Sequence, residues 1–103
     1  MSTDQPPHVV YVPNDLNDIF PGFLENRRKE IAAIPEHLDR GDFKQIRQWG
    51  HNMAGCGEGY GFPAISEFGR ILETAAVNLD APAVRECTAT LSTLVNHVEI
   101  IYI

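Results

Sequence analysis

The stretch His51-Asn52-Met53-Ala54-Gly55-Cys56-Gly57-Glu58-Gly59-Tyr60-Gly61 decides how this chain is interpreted. Together with Gly50 it places five glycines within twelve residues, although each interior glycine costs a helix roughly 1 kcal/mol relative to alanine. The apolar residues before and through the stretch nevertheless keep a helical spacing. The pattern therefore predicts that bare backbone is needed beside an exposed histidine, so that another protein's backbone can come close.

Length and composition indicate one globular domain. The chain has 103 residues, 44% hydrophobic and 21% charged, which is ordinary for a soluble protein with a single core. The net charge of −6 argues against nucleic acid and anionic membranes as partners, because both would repel it. The N-terminus lacks the basic and apolar regions of a signal peptide, and Cys56 and Cys87 form no metal-binding pattern. We expect a cytoplasmic monomer, and the starting Met1 favours a free-standing protein.

Hydrophobic periodicity predicts an all-α fold, an antiparallel four-helix bundle with a short N-terminal extension or extra helix. The first helix is expected from about Pro21 to Asp39, with Pro35 kinking or interrupting it. The second begins after the N-cap Asp42, and its buried stripe is predicted at Phe43, Ile46, Gly50, Met53, Gly57 and Tyr60. The third begins near Phe62 and Pro63.

The ends of the chain carry weaker signals. The fourth helix follows the cap Asp80, and its apolar positions are Val84, Cys87, Leu91, Leu94, Val98 and Ile101. Residues 1–8 are expected to be disordered. The run Val9–Val12 has no obvious partner strand, so we expect it to cross the outside of the helices, before a short helix over 14–20. The predicted domains are a flexible or extended segment over 1–12 and the bundle over 13–103.

Helical geometry places His51 away from the buried stripe of its own helix. At 100° per residue, Met53 lies about 200° from His51. The side chains near His51 on the same face are Arg47, Gln48, Ala54, Gly55, Glu58 and Gly59. This face is polar, small and nearly flat. We therefore expect a partner to reach the imidazole.

The segment from His51 to Gly61 resembles the histidine phosphotransfer (HPt) domain of two-component phosphorelay systems. In that family the histidine is followed by an apolar residue, a lysine, a glycine and small residues, as at Met53, Gly55 and Gly57, although Ala54 stands where the lysine would be. The stretches 65–73, 21–28 and 41–43 are also similar, and the resemblance covers about residues 15–100.

The resemblance implies a phosphorelay. His51 would attack an aspartyl phosphate on a response-regulator receiver domain or a hybrid sensor kinase, and a second receiver would take the phosphoryl group from it. The chain would need no cofactor of its own, because Mg²⁺ is expected on the receiver. It would be an intermediate in phosphotransfer rather than an autonomous kinase. The expected docking surface consists of Gln48, Ala54, Gly55, Glu58 and Gly59.

The resemblance also implies helpers around the phosphoacceptor. Glu73 occupies the place where family members carry an acid or amide bonded to the histidine ring. It should accept from Nδ1–H of His51 and leave Nε2 free. Since Ala54 replaces the usual lysine, Arg70 on the next helix is the candidate substitute, and Arg47, one turn before His51, is the second.

Other classes of function have less support. The four histidines show no i,i+3 or i,i+4 pairing with one another, so we expect no metal site. Cys56 lies about 140° round the helix from His51, which argues against a Cys–His hydrolase. The glycine run lacks the lysine and the preceding strand of a phosphate-binding loop. Two alternatives stay open: an HPt-like adaptor that binds receivers without accepting phosphate, and a dimerisation bundle with no signalling role.

Overall fold

The computed structural model describes residues 8–103. Disorder was expected for residues 1–8; residues 1–7 lie outside the described residues, and at His8 the expectation was wrong, because this residue begins a strand. Within residues 8–103 the fold is mostly helical, with four α-helices and two short strands. In chain order the elements are β1 (His8–Val12), α1 (Phe20–Asp39), α2 (Phe43–Cys56), α3 (Pro63–Val77), α4 (Ala81–Asn96) and β2 (Val98–Tyr102). Short 3-10 turns occupy Asn14–Leu16 and Glu58–Tyr60.

The helix starts follow the capping signals in the sequence. The side chain of Asp42 accepts a hydrogen bond from the backbone N–H of Gln45 at 3.2 Å, and Asp80 accepts one from Ala83 at 3.1 Å. Each bond satisfies an amide that the first turn of a helix leaves without a partner. The predicted caps of α2 and α4 are therefore confirmed.

Pro35 was expected either to kink or to interrupt the first helix, and it does not interrupt α1. The helix continues through it to Asp39. Ile31 and Ile34 before the proline and Leu38 after it are all buried. Burial of one continuous apolar face stabilises the helix on both sides and offsets the lost backbone hydrogen bond.

The two strands correct the all-α prediction. β1 and β2 pair in parallel, with His8 opposite Val98 and Val12 opposite Tyr102. The run Val9–Val12 therefore has a partner, and the prediction that the fourth helix includes Val98 and Ile101 was wrong, since α4 ends at Asn96. Through this pairing, backbone groups at the two ends of the described chain form hydrogen bonds with each other. Val10 and Val12 are buried in the hydrophobic core.

α2 also ends earlier than its stripe of apolar residues suggests. The helix stops at Cys56, and the 3-10 turn over Glu58–Tyr60 leads to Gly61, whose φ is +85°. A residue with a side chain rarely adopts this left-handed conformation, so Gly61 lets the chain turn into α3. The turn leaves Tyr60 half-buried, with its ring stacked on that of Phe23 at 4.2 Å between centroids.

The core lies between the four helices and the inner side of the strand pair. Its fully buried large side chains are Phe20, Ile34, Ile46, Met53, Phe62, Ile65, Leu72 and Leu91. None of the helices within residues 8–103 combines the length and the apolar character that crossing a membrane requires.

Candidate functional site around His51

α2 presents His51 to solvent. Ile46, Gly50 and Met53 form the buried face of this helix, and the side chain of His51 is 69% exposed on another side. An imidazole buried in the core would have been incompatible with a site that other proteins reach. The exposure therefore leaves the ring available for chemistry with a partner.

A carboxylate from α3 holds one nitrogen of this ring. Nδ1 of His51 lies 3.1 Å from Oε2 of Glu73, whose side chain is only 28% exposed. An ionised carboxylate can only accept a hydrogen bond. Nδ1 therefore carries the ring proton, and its N–H donates a hydrogen bond to Glu73. In the neutral ring, Nε2 then has the free lone pair. The predicted juxtaposition of these two residues is present, and its role in phosphotransfer stays a prediction.

Three glycines make this contact possible by bringing α2 and α3 together. A Cβ added at Gly50 would lie 2.7 Å from the backbone nitrogen of Glu73, and one at Gly69 would lie 2.6 Å from that of Ala54. A Cβ at Gly57 would lie 2.5 Å from the backbone nitrogen of Ser66. At Gly50 and Gly57 the close backbone belongs to the segment 62–73 of the same chain, and at Gly69 it belongs to α2. The expectation that glycine admits another protein's backbone therefore does not apply to Gly50 or Gly57.

Gly55 and Gly59 differ from those three. Both are exposed, and among the described residues nothing lies within 4 Å of a Cβ built at either. Internal packing therefore does not account for glycine at these two positions. That they leave room for a partner's backbone stays a prediction.

The other predicted docking residues lie on α2 or in the 3-10 turn that follows it. Gln48 is exposed and donates to Oδ1 of Asn52 at 3.1 Å. Ala54 is half-buried, and the exposed Glu58 donates its backbone N–H to Ser66 at 2.8 Å. Partner binding by this group stays a prediction.

The two candidate arginines occupy different places. Arg47 lines an open depression of about 400 Å³ together with Lys44, Gln48, His51 and Glu73. Arg70 is exposed and lines a separate depression whose other residues include Ile71, Thr74, Ala75 and Asp80. The structure thus groups Arg47 with His51. It adds Lys44, which the sequence interpretation missed, although its position seven residues before His51 already placed it on the same helical stripe.

The cysteines are unsuited to nucleophilic chemistry at neutral pH. Burial raises the pKa of the Cys56 thiol, although nearby Arg27 partly opposes that effect. Burial, with a contribution from Glu86, raises the pKa of Cys87 to about 11. Both side chains are therefore thiols rather than thiolates near pH 7. Packing is the role that fits them.

The site as a whole is an exposed imidazole bonded to one carboxylate, with two cationic side chains lining the same depression. Within residues 8–103, no group of three His, Cys, Asp or Glu side chains is arranged to hold a metal ion. No protein-family model, no curated protein and no solved structure matches this chain.

Proposed function

We propose that this chain is a histidine phosphotransfer protein that relays a phosphoryl group between receiver-domain aspartates through His51. The observation that carries the proposal is the exposed imidazole whose Nδ1 is bonded to Glu73 at 3.1 Å. This bond fixes the tautomer and directs the remaining lone pair, on Nε2, to the surface. The order of contacts between α2 and α3, with Gly50 near Glu73 and Gly57 near Ser66, supports the antiparallel four-helix bundle that such a protein would have.

The chemistry proceeds by in-line displacement. The Nε2 lone pair forms a bond to phosphorus, and the bond from phosphorus to the aspartyl oxygen of the donor breaks, so the donor leaves as a carboxylate. Nδ1 keeps its proton, and the phosphorylated ring therefore carries a positive charge. Glu73 stabilises that charge through the same hydrogen bond. A second receiver's carboxylate then reverses the step.

The partner supplies the remaining machinery. Response-regulator receiver domains, including that of a hybrid sensor kinase, would bring the aspartate and the Mg²⁺ that neutralises charge on the transferring group. The chain itself would act as a cytoplasmic monomer. The open backbone at Gly55 and Gly59, with Gln48, Ala54 and Glu58 around it, is the surface on which the receiver docks.

The test is transfer from a phosphorylated receiver. The purified chain is incubated with receivers carrying aspartyl phosphate, and its modification is examined for the acid lability and alkali stability of phosphohistidine. His51→Gln, which keeps a polar side chain of similar length, is the matched control and should stay unmodified. Absence of this modification with every receiver from the same organism would overturn the proposal.

An adaptor that binds receivers without accepting phosphate is the second candidate, and the observation that favours it is Ala54. Without a lysine one turn beyond His51, the chain lacks the positive charge that the histidine phosphotransfer family places near the phosphoryl group. A chain that binds receivers tightly, with an affinity unchanged in His51→Gln, and never becomes phosphorylated would be such an adaptor.

A further inference from the structure

The depression beside His51 contains two cations on one helical stripe. Lys44, Arg47 and His51 are separated by three and four residues on α2, so their side chains follow one another along the same face. All three line the open depression of about 400 Å³. Among residues 8–103, neither cation forms a salt bridge with a carboxylate, although five salt bridges involve other residues. Their charges are therefore available to an anion.

On α2 itself, the residues described after His51 include no lysine or arginine. One turn beyond it on α2 lie Ala54 and Gly55, and Glu58 follows at the start of the next turn of chain. Among the side chains of α2, the cations nearest His51 therefore lie toward the start of the helix, while Arg27, which contacts Cys56 near its end, is paired with Glu30. Arg70 on α3 is the other exposed cation to be tested. A phosphoryl group on Nε2 would be attracted toward the cations at the start of α2.

The geometry points to Arg47 and Lys44 as the phosphoryl-binding residues of this chain, an inference that rests on the proposed function of His51. Arg47, one turn away, can direct its forked donors at two phosphoryl oxygens, while Lys44 adds a positive charge. Glu73 does not occupy the place of the phosphoryl group, because its carboxylate is bonded to Nδ1 and the phosphoryl group would be on Nε2. The chain thereby compensates for Ala54 with cations that precede the histidine.

A small phosphodonor separates this inference from docking. With phosphoramidate, Nε2 forms the bond to phosphorus, the phosphorus–nitrogen bond of the donor breaks, and ammonia leaves. No receiver surface is involved, so the rate reports on groups beside the imidazole. Phosphorylation of the full chain is followed by ³¹P NMR, and the pH at which the bound phosphoryl group titrates is measured in the same samples.

The variants at the depression are Arg47→Gln, Arg47→Lys, Lys44→Gln and the double substitution to Gln. Arg70→Gln tests the other candidate arginine, and Arg85→Gln is the control. Arg85 is an exposed arginine on α4, so its loss changes the net charge equally without touching the depression. Arg47→Gln should slow phosphorylation about tenfold, the effect expected on losing a hydrogen bond to a charged group. It should also raise the pKa of the phosphoryl group. Lys44→Gln should have a smaller effect, Arg47→Lys should recover part of the rate, and Arg85→Gln should match the wild type.

The outcomes distinguish this inference from the proposed function. If the wild-type chain is phosphorylated on His51 and the Arg47 and Lys44 variants react as fast as Arg85→Gln, the inference is overturned and the relay stands. A selective loss in Arg70→Gln would overturn it in favour of the other arginine. If neither phosphoramidate nor any phosphorylated receiver modifies the wild-type chain, both fail together.

Discussion

Replacing Gly50 by alanine tests whether contact between α2 and α3 decides the residue at this position. The added Cβ would lie 2.7 Å from the backbone nitrogen of Glu73 and 2.9 Å from the backbone oxygen of Gly69. Neither atom belongs to a side chain that could rotate away, so α3 has to move. Because one of these atoms belongs to Glu73, the movement acts directly on the residue that holds the ring of His51.

Two opposing effects set the expected change in the free energy of unfolding of Gly50→Ala. Alanine improves helix propensity by about 1 kcal/mol relative to glycine. Overpacking a close contact costs roughly 1–3 kcal/mol, and a clash with backbone belongs at the upper end. The expected net loss is therefore about 1–2 kcal/mol in the free energy of unfolding. Gly55→Ala is the matched control, because it lies on the same helix and meets nothing described within 4 Å. It should gain about 0.5 kcal/mol, less than an interior position because it is near the helix end.

The assay is urea denaturation of both variants and the wild type, followed by far-ultraviolet circular dichroism. A second readout is ¹⁵N NMR of the His51 ring, where a displaced Glu73 should change the signal of Nδ1 in Gly50→Ala but leave it unchanged in Gly55→Ala. If Gly50→Ala is stabilised as much as Gly55→Ala, the close helix contact and the reasoning built on it are refuted.

Three further predictions concern the site and its surroundings. Glu73→Ala should slow phosphotransfer about tenfold and allow both tautomers of His51, because Nδ1–H loses its charged hydrogen-bond acceptor. Glu73→Gln, which keeps an acceptor oxygen, should retain one tautomer. Identical ¹⁵N spectra of the His51 ring in both variants would contradict this prediction. Gly55→Leu should weaken receiver binding measured by calorimetry while leaving the phosphoramidate reaction unchanged, so an unaltered affinity would argue against docking there. Hydrogen bonds from His37 and from the backbone of Gln45 lower the pKa of Asp42, so the folded-state value lies below the unfolded one. The stability that this carboxylate contributes should be present above about pH 4 and disappear as pH falls through the folded-state pKa. In urea denaturation at a series of pH values, the free energy of unfolding of Asp42→Asn should fall less steeply in acid than that of the wild type. Equal slopes would contradict the stabilising role given to Asp42.

The four helices could be predicted from the sequence because their signals are local. Apolar spacing, the caps Asp42 and Asp80, and a proline in the first turn of α1, α3 and α4 all lie within the segments that they define. The strand pair could not be predicted in this way. Val98 and Ile101 fit a helical stripe as well as a strand, and their partners lie at the other end of the chain. Pairing between distant segments leaves no local turn signal.

The site was predictable in part for the same reason. The direction of His51 follows from the geometry of one helix, whereas the place of Glu73 came from resemblance and not from spacing. Gly50 and Gly57 were correctly assigned to the buried stripe, but the reason for glycine there is the backbone of α3, which one helix alone does not reveal. Lys44 lies two turns before His51, beyond the single preceding turn that contains the predicted neighbours Arg47 and Gln48.

The measurement that tests the central claim most directly is ³¹P–¹⁵N NMR of the chain after incubation with a phosphorylated receiver. The account predicts that phosphorus is bonded to Nε2 of His51 and that Nδ1 still carries its proton, hydrogen-bonded to Glu73. A His51 ring that stays unmodified, or a phosphoryl group found on Nδ1 or on another residue, would contradict it.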